Sequence, residues 1–117
     1  MNERASKWFL DAYLAGLDVL DFVEGLSLEQ YARDEKTCSA VERKFEIIGE
    51  ALNRIRSSAP DLLASIREPA AIIGFRNILA HGYDRVDEVL VWSIIETKLP
   101  RLLDDLRAIP EVRNELD

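Results

Sequence analysis

Arg76, His81 and Tyr83 stand within eight residues of one another in the stretch Gly74-Phe75-Arg76-Asn77-Ile78-Leu79-Ala80-His81-Gly82-Tyr83. His81 is the single histidine of the chain. A guanidinium binds phosphate in a bidentate fork, an imidazole carries a proton at neutral pH, and a phenol offers a nucleophilic or acceptor oxygen. Together they can handle a phosphodiester without a metal. The remaining sequence must supply the elements that hold these groups.

Hydrophobic spacing gives those elements as helices. From Glu3 to Glu24, Phe9, Tyr13, Leu17, Leu20 and Val23 recur every three or four residues and predict an amphipathic helix, with Gly25 as its stop. Ser27-Leu28-Glu29-Gln30 reads as a capping box opening a short turn. Asp34 is the next N-cap, ahead of a long helix from Glu35 to Ser57. Its seam is Cys38, Val41, Phe45, Ile48, Leu52 and Ile55, and a second side carries Arg43, Glu46, Glu50 and Arg54. That side is read first as a solvated face with ion pairs. In the sharper reading, Arg43, Glu46 or Glu50 lines a polar groove beside the Arg76–Tyr83 stretch.

Pro60 suits the start of a short helix over 61–66, and Pro69 that of a helix over 70–80. Asp87 caps a last long segment with Val91 or Trp92, Ile95, Leu99, Leu102 and Leu106 at helical spacing. Pro100 inside it should kink or split that helix. The tail after Ile109-Pro110 is expected to fray. No convincing strand is present, so the fold class is all-α, a small bundle of four main helices and one or two short ones in a single domain over 1–117.

Composition bounds the function. The net charge of −7 argues against broad non-specific nucleic-acid binding, which runs on many phosphate–cation contacts, but leaves room for a local basic site. A single cysteine, Cys38, points to a small buried apolar residue and a reducing, cytoplasmic setting. The apolar run from Trp8 to Leu20 is interrupted by Asp11 and Asp18, so it is read as neither signal core nor membrane span. One histidine, one cysteine and scattered carboxylates predict no metal site, and no cofactor is expected.

Five residues of ideal helix turn through about 500°, so Arg76 and His81 sit about 140° apart on a straight helix. Either the helix ends near His81 with Gly82 left-handed, or two copies meet across a two-fold axis and each supplies one arginine and one histidine. The plain alternative is a histidine that caps helix carbonyls and a tyrosine that packs.

The string Gly-Phe-Arg-Asn-Ile-Leu-Ala-His-Gly-Tyr resembles the Arg-x4-His-x-Tyr motif of HepT-like HEPN proteins, the toxin halves of HEPN/MNT toxin–antitoxin systems. The resemblance extends upstream through Asp34-Glu35-Lys36-Thr37, Ala40-Val41-Glu42-Arg43 and Ile47-Ile48-Gly49-Glu50-Ala51. Downstream it extends through Val86-Asp87, Val91-Trp92, Ile95 and Leu99-Pro100. The segment from Ser57 to Ala70 looks shorter and less regular than in many relatives. The resemblance implies a four- to five-helix HEPN bundle, a homodimer with facing motifs, and a metal-independent ribonuclease. It implies Arg76 on the scissile phosphate, His81 as general acid or base, and Tyr83 as the residue adenylylated by a cognate MNT-type nucleotidyltransferase antitoxin. By spacing, Asn77 lies one turn before His81 and can orient its ring. The competing expectation is a non-catalytic helical dimer that binds a nucleotide or a partner protein.

Overall fold

Asn2 opens the first helix, α1 (Glu3–Val23), by accepting the Ala5 N–H on its side chain at 2.7 Å. The computed structural model describes residues 1–81 and 86–116; residues 82–85, Asp117 and the side chains of Arg76, Asn77, Ala80 and His81 lie outside that description. Gly25 takes φ +80°, the left-handed conformation that ends a helix cheaply only at glycine. The expected capping box forms. Gln30 N–H donates to Ser27 Oγ at 3.1 Å, Ser27 N–H donates to Gln30 Oε1 at 2.9 Å, and α2 (Leu28–Arg33) follows. Asp34 then caps α3 (Glu35–Ser58), accepting from Thr37 N–H at 3.1 Å and Thr37 Oγ1 at 2.8 Å.

A short 3-10 helix (Pro60–Ser65) carries Pro60 at its first position and leads to α4 (Pro69–His81). Asp87 caps α5 (Glu88–Arg107) through hydrogen bonds from the Val89 and Leu90 N–H groups, and α6 (Pro110–Leu116) closes the chain. All the regular structure among the described residues is helical, so the all-α expectation holds. No described helix is long and apolar enough to cross a membrane.

The core is one cluster to which α1, α3, α4 and α5 all contribute. The α3 seam predicted from spacing is buried at every position, Cys38 through Ile55. On α1 the outcome differs. Phe9, Tyr13 and Val23 are buried, but Leu17 and Leu20 stay exposed, and the helix packs through Ala5, Ala12, Ala15 and Gly16 instead. A Cβ at Gly16 would lie 2.6 Å from Leu103 Cδ2 and 3.2 Å from Leu99 Cδ1, so α5 approaches α1 where side chains are smallest. Close helix approach selected small residues over large apolar ones there.

Two further expectations change. Of the kink or split expected at Pro100, the split does not occur: α5 runs unbroken to Arg107, with Leu99, Leu102 and Leu103 buried on either side of the proline. Tertiary packing outweighs the roughly 3 kcal/mol that proline costs a helix. The tail does not fray either. Pro110 starts a helix whose Val112 is fully buried, and the Val112 and Arg113 N–H groups both bond Ile109 O at 3.0 Å.

Candidate functional site

Helix α4 carries Arg76 and His81, and two sets of contacts fix it. At its start, Arg67 donates to the Asp105 carboxylate of α5 from its backbone N–H at 2.9 Å and from Nε at 3.1 Å. Glu68, at φ +51°, receives Lys98 Nζ at 3.1 Å and lies 3.5 Å from Arg101 Nη1. Left-handed backbone is costly for a non-glycine residue, and proline disfavours a helical residue just before it. The ion pairs with α5 therefore hold the strained turn from which Pro69 launches the helix. Along its length, Ile72, Ile73, Phe75 and Leu79 are buried, and the Phe75 ring meets Phe45 of α3 edge-on at 5.3 Å.

The described helix extends through His81. By backbone register, position 76 falls on the face of Ile72, Ile73 and Leu79. Position 81 lies about 140° away, on the side of Gly74 and the exposed Ile78. Position 77 is one turn before 81. Tyr83 and Gly82 lie outside the described residues, as do the side chains of Arg76, Asn77 and His81.

On α3, Arg43 Nη1 pairs with Glu46 Oε2 at 3.1 Å on the exposed flank, and Glu50 is half-buried one turn further on. The pair has the i,i+3 geometry of an ordinary helix-surface contact.

The sequence reading missed a group of polar side chains where α2, α3 and α5 meet. Tyr31 is fully buried, packs against Trp92 with ring centroids 5.3 Å apart, and its hydroxyl has no hydrogen-bond partner among the described residues. Glu88 Oε2 is likewise buried without a partner. Burial first, then the neighbouring Glu88 carboxyl and the charge of Glu46, push the Glu42 carboxyl up to about 7. Burial and the charge of Glu88 raise Tyr31 well above the usual phenol range. The same two causes push the Cys38 thiol up to about 11, and the thiol donates to Tyr31 O at 3.2 Å. Cys38, Arg33, Glu35, Asp87 and Glu88 line an open groove beside this group. The available signal was Glu42 itself, one helical turn after Cys38 and flanking the buried seam.

Among the described residues, no cluster of three or more histidine, cysteine or carboxylate side chains is arranged to hold a metal ion.

The family profile described as "Ribonuclease HepT-like" matches residues 15–109. The chain belongs to that family. It is 28% identical over 110 residues to "Putative RNase MJ1380" of Methanocaldococcus jannaschii, covering 93% of this chain and all of that protein. It is 31% identical over 103 residues to "Probable ribonuclease HepT" of Thermococcus cleftensis, covering 86% of this chain and 91% of that one. A second Methanocaldococcus jannaschii protein, "Putative RNase MJ0127", is 25% identical over 86% of this chain and 79% of its own length. No solved structure matches the chain.

Proposed function

We propose that this chain is the toxin ribonuclease of a HEPN/MNT toxin–antitoxin module, silenced when a cognate nucleotidyltransferase adenylylates Tyr83. The observation that carries the reading is an arginine and the only histidine on one helix, inside the region matched by the ribonuclease HepT-like profile. In this reading the RNA 2′-hydroxyl attacks the adjacent phosphorus and the bond to the 5′-oxygen breaks. One proton leaves the attacking oxygen and one reaches the departing oxygen. Arg76 binds the phosphate and offsets its developing charge. His81 takes or gives a proton. Asn77 supports the imidazole, and Arg43, Glu46 and Glu50 border the RNA groove. These side chains supply both phosphate binding and proton transfer, so the step needs no metal.

A single imidazole cannot remove and donate a proton at one instant, which favours a composite site across a homodimer. Ile78, Val89 and Leu90 support this, because they expose apolar side chains on the two elements that flank residues 82–85 in the chain. Adenylylation joins the Tyr83 oxygen to the α-phosphorus of ATP and expels pyrophosphate. The attached nucleotide brings negative charge and bulk that compete with RNA for Arg76.

Intact mass of the protein produced with and without its nucleotidyltransferase, with peptide mapping around Tyr83, tests the silencing route. A gain in whole nucleotide units on Tyr83, seen only with the partner, is expected; an unchanged mass with partner and ATP present contradicts it. The net charge of −7 favours one second reading, a non-catalytic dimer that binds a nucleotide or partner protein. That reading predicts saturable binding without RNA cleavage.

A further inference from the structure

Leu14 faces away from the core. Ala5 and Val23 each stand nine residues from it, about 900° of helix, and both are buried, so Leu14 lies half a turn round α1 from the packed side. Leu10, four residues before, and Leu17, three after, fall on the same outer stripe. Leu14 and Leu17 are exposed and Leu10 is half-buried. The outer face of a surface helix is ordinarily its polar one. Here it is leucine, and it ends on charge: Lys7 stands seven residues before Leu14 and Asp21 seven after, with Glu24 beyond. Helix α1 rests on α3, α5 and α6, and the stripe stays open among the described residues. We propose that this stripe seats a second copy of the chain, with two α1 helices crossing antiparallel about a two-fold axis near Leu14.

Self-complementarity decides the occupant. Antiparallel pairing about Leu14 brings the Lys7 end of each helix to the Asp21 and Glu24 end of the other, twice over. Parallel pairing would set lysine against lysine and acid against acid. The last turn of α1 holds Asp21 and no basic residue, and Glu24 caps it, an arrangement that the helix's own dipole disfavours. The antiparallel neighbour relieves it with a lysine and a helix N-terminus. Glu3 stays in the first turn of its own helix, where the dipole favours it.

The charges beside the stripe allow this. Lys7 holds Asp11 at 2.9 Å, but the pair is exposed and worth little, and the ammonium has two further donors. Asp18 is matched by Lys44 of α3 at 2.8 Å. Asp11, Asp18 and Asp21 together repel an anionic lipid surface, which basic helices seek. The contact lies on α1, apart from Ile78 of α4 and Val89 and Leu90 of α5, and it does not rest on the ribonuclease reading. Where both contacts form, the assembly holds four chains or more; alone, the stripe gives a dimer.

Light-scattering mass of the full chain, compared with Leu14→Glu, tests it. The variant should have half the wild-type mass and an unchanged circular dichroism spectrum. Lys7→Glu should weaken association roughly tenfold or more, and adding Asp21→Lys should restore it. Mild oxidation should link Leu14→Cys to its own copy; the wild type should stay unlinked, because Cys38 is buried. Equal masses for wild type and Leu14→Glu, with no linked pair, overturn the proposal. Anionic vesicles that bind wild type but not Leu14→Glu overturn it in favour of a lipid surface. RNA cleavage keeps the two contacts apart. Halved mass with cleavage at the wild-type rate supports a separate interface, whereas cleavage lost along with the mass makes the stripe the composite-site contact and overturns it. Halved mass with no cleavage by any form leaves the stripe standing and overturns the ribonuclease reading.

Discussion

Asp105 on α5 receives both the backbone N–H and the guanidinium of Arg67, two residues before the proline that starts α4. The carboxylate is mostly buried, which alone would raise its pKa. The side-chain and backbone hydrogen bonds from Arg67, together with its charge, outweigh burial and hold Asp105 below the usual carboxylate range. Asp105→Ala should cost about 1–3 kcal/mol, the range for charged hydrogen bonds lost at a mostly buried site. The contribution is present above the ordinary carboxylate value of 3.8 and is lost as pH falls through the lower folded value. Denaturant unfolding of the wild type and Asp105→Ala, at neutral pH and at about pH 3, checks it: the gap should narrow in acid.

Gly16 predicts a steric result. Gly16→Val places carbon where Leu103 and Leu99 already sit, and overpacking should cost about 1–3 kcal/mol. The exposed Leu17→Val should change stability by less than about 0.5 kcal/mol. Equal midpoints for the two variants in urea would show that α1 and α5 are not so closely packed.

Phe75 and Phe45 couple the helix that carries the motif to the longest helix. Phe75→Ala should lose about 3–5 kcal/mol, from the cavity and the lost edge-to-face contact. Phe75→Leu should lose markedly less. If the pair positions α4, cleavage by Phe75→Leu falls below wild type at temperatures where the variant is fully folded by circular dichroism.

Cys38 should be inert. The thiol is buried and pushed up to about 11, so little thiolate exists at neutral pH. An aromatic disulfide reagent should modify it slowly in the native protein and at once in denaturant. Rapid native modification would contradict the packing of α2 on α3.

Much of this fold was legible in the sequence because its signals are local. Ser27 with Gln30, Asp34, Asp87 and Gly25 act within four residues, and each cap or stop forms as read. The α3 seam was equally plain, since one face of a long helix repeats itself six times. What the sequence hid depends on partners far along the chain. Leu17 and Leu20 look like core until α5 presses against Gly16. Pro100 looks like a break until the leucines around it are buried, and the tail looks loose until Val112 docks. Glu42 resembles any charged helix residue until the fold half-buries it and brings the charge of Glu88, distant in sequence, near enough to raise its carboxyl. The Arg76, His81 and Tyr83 motif was readable as residue types and spacing, and α4 supplies its helical frame through His81.

The measurement that bears most directly on the central claim is cleavage of a defined single-stranded RNA by purified, unmodified protein in chelator, compared with Arg76→Ala and His81→Ala. Each variant should retain the wild-type circular dichroism spectrum and solution mass, and lose roughly 100-fold or more in rate, the range for removing a proton-transfer or phosphate-binding group. Wild-type cleavage by His81→Ala, or no cleavage by any form of the unmodified protein, would contradict the account.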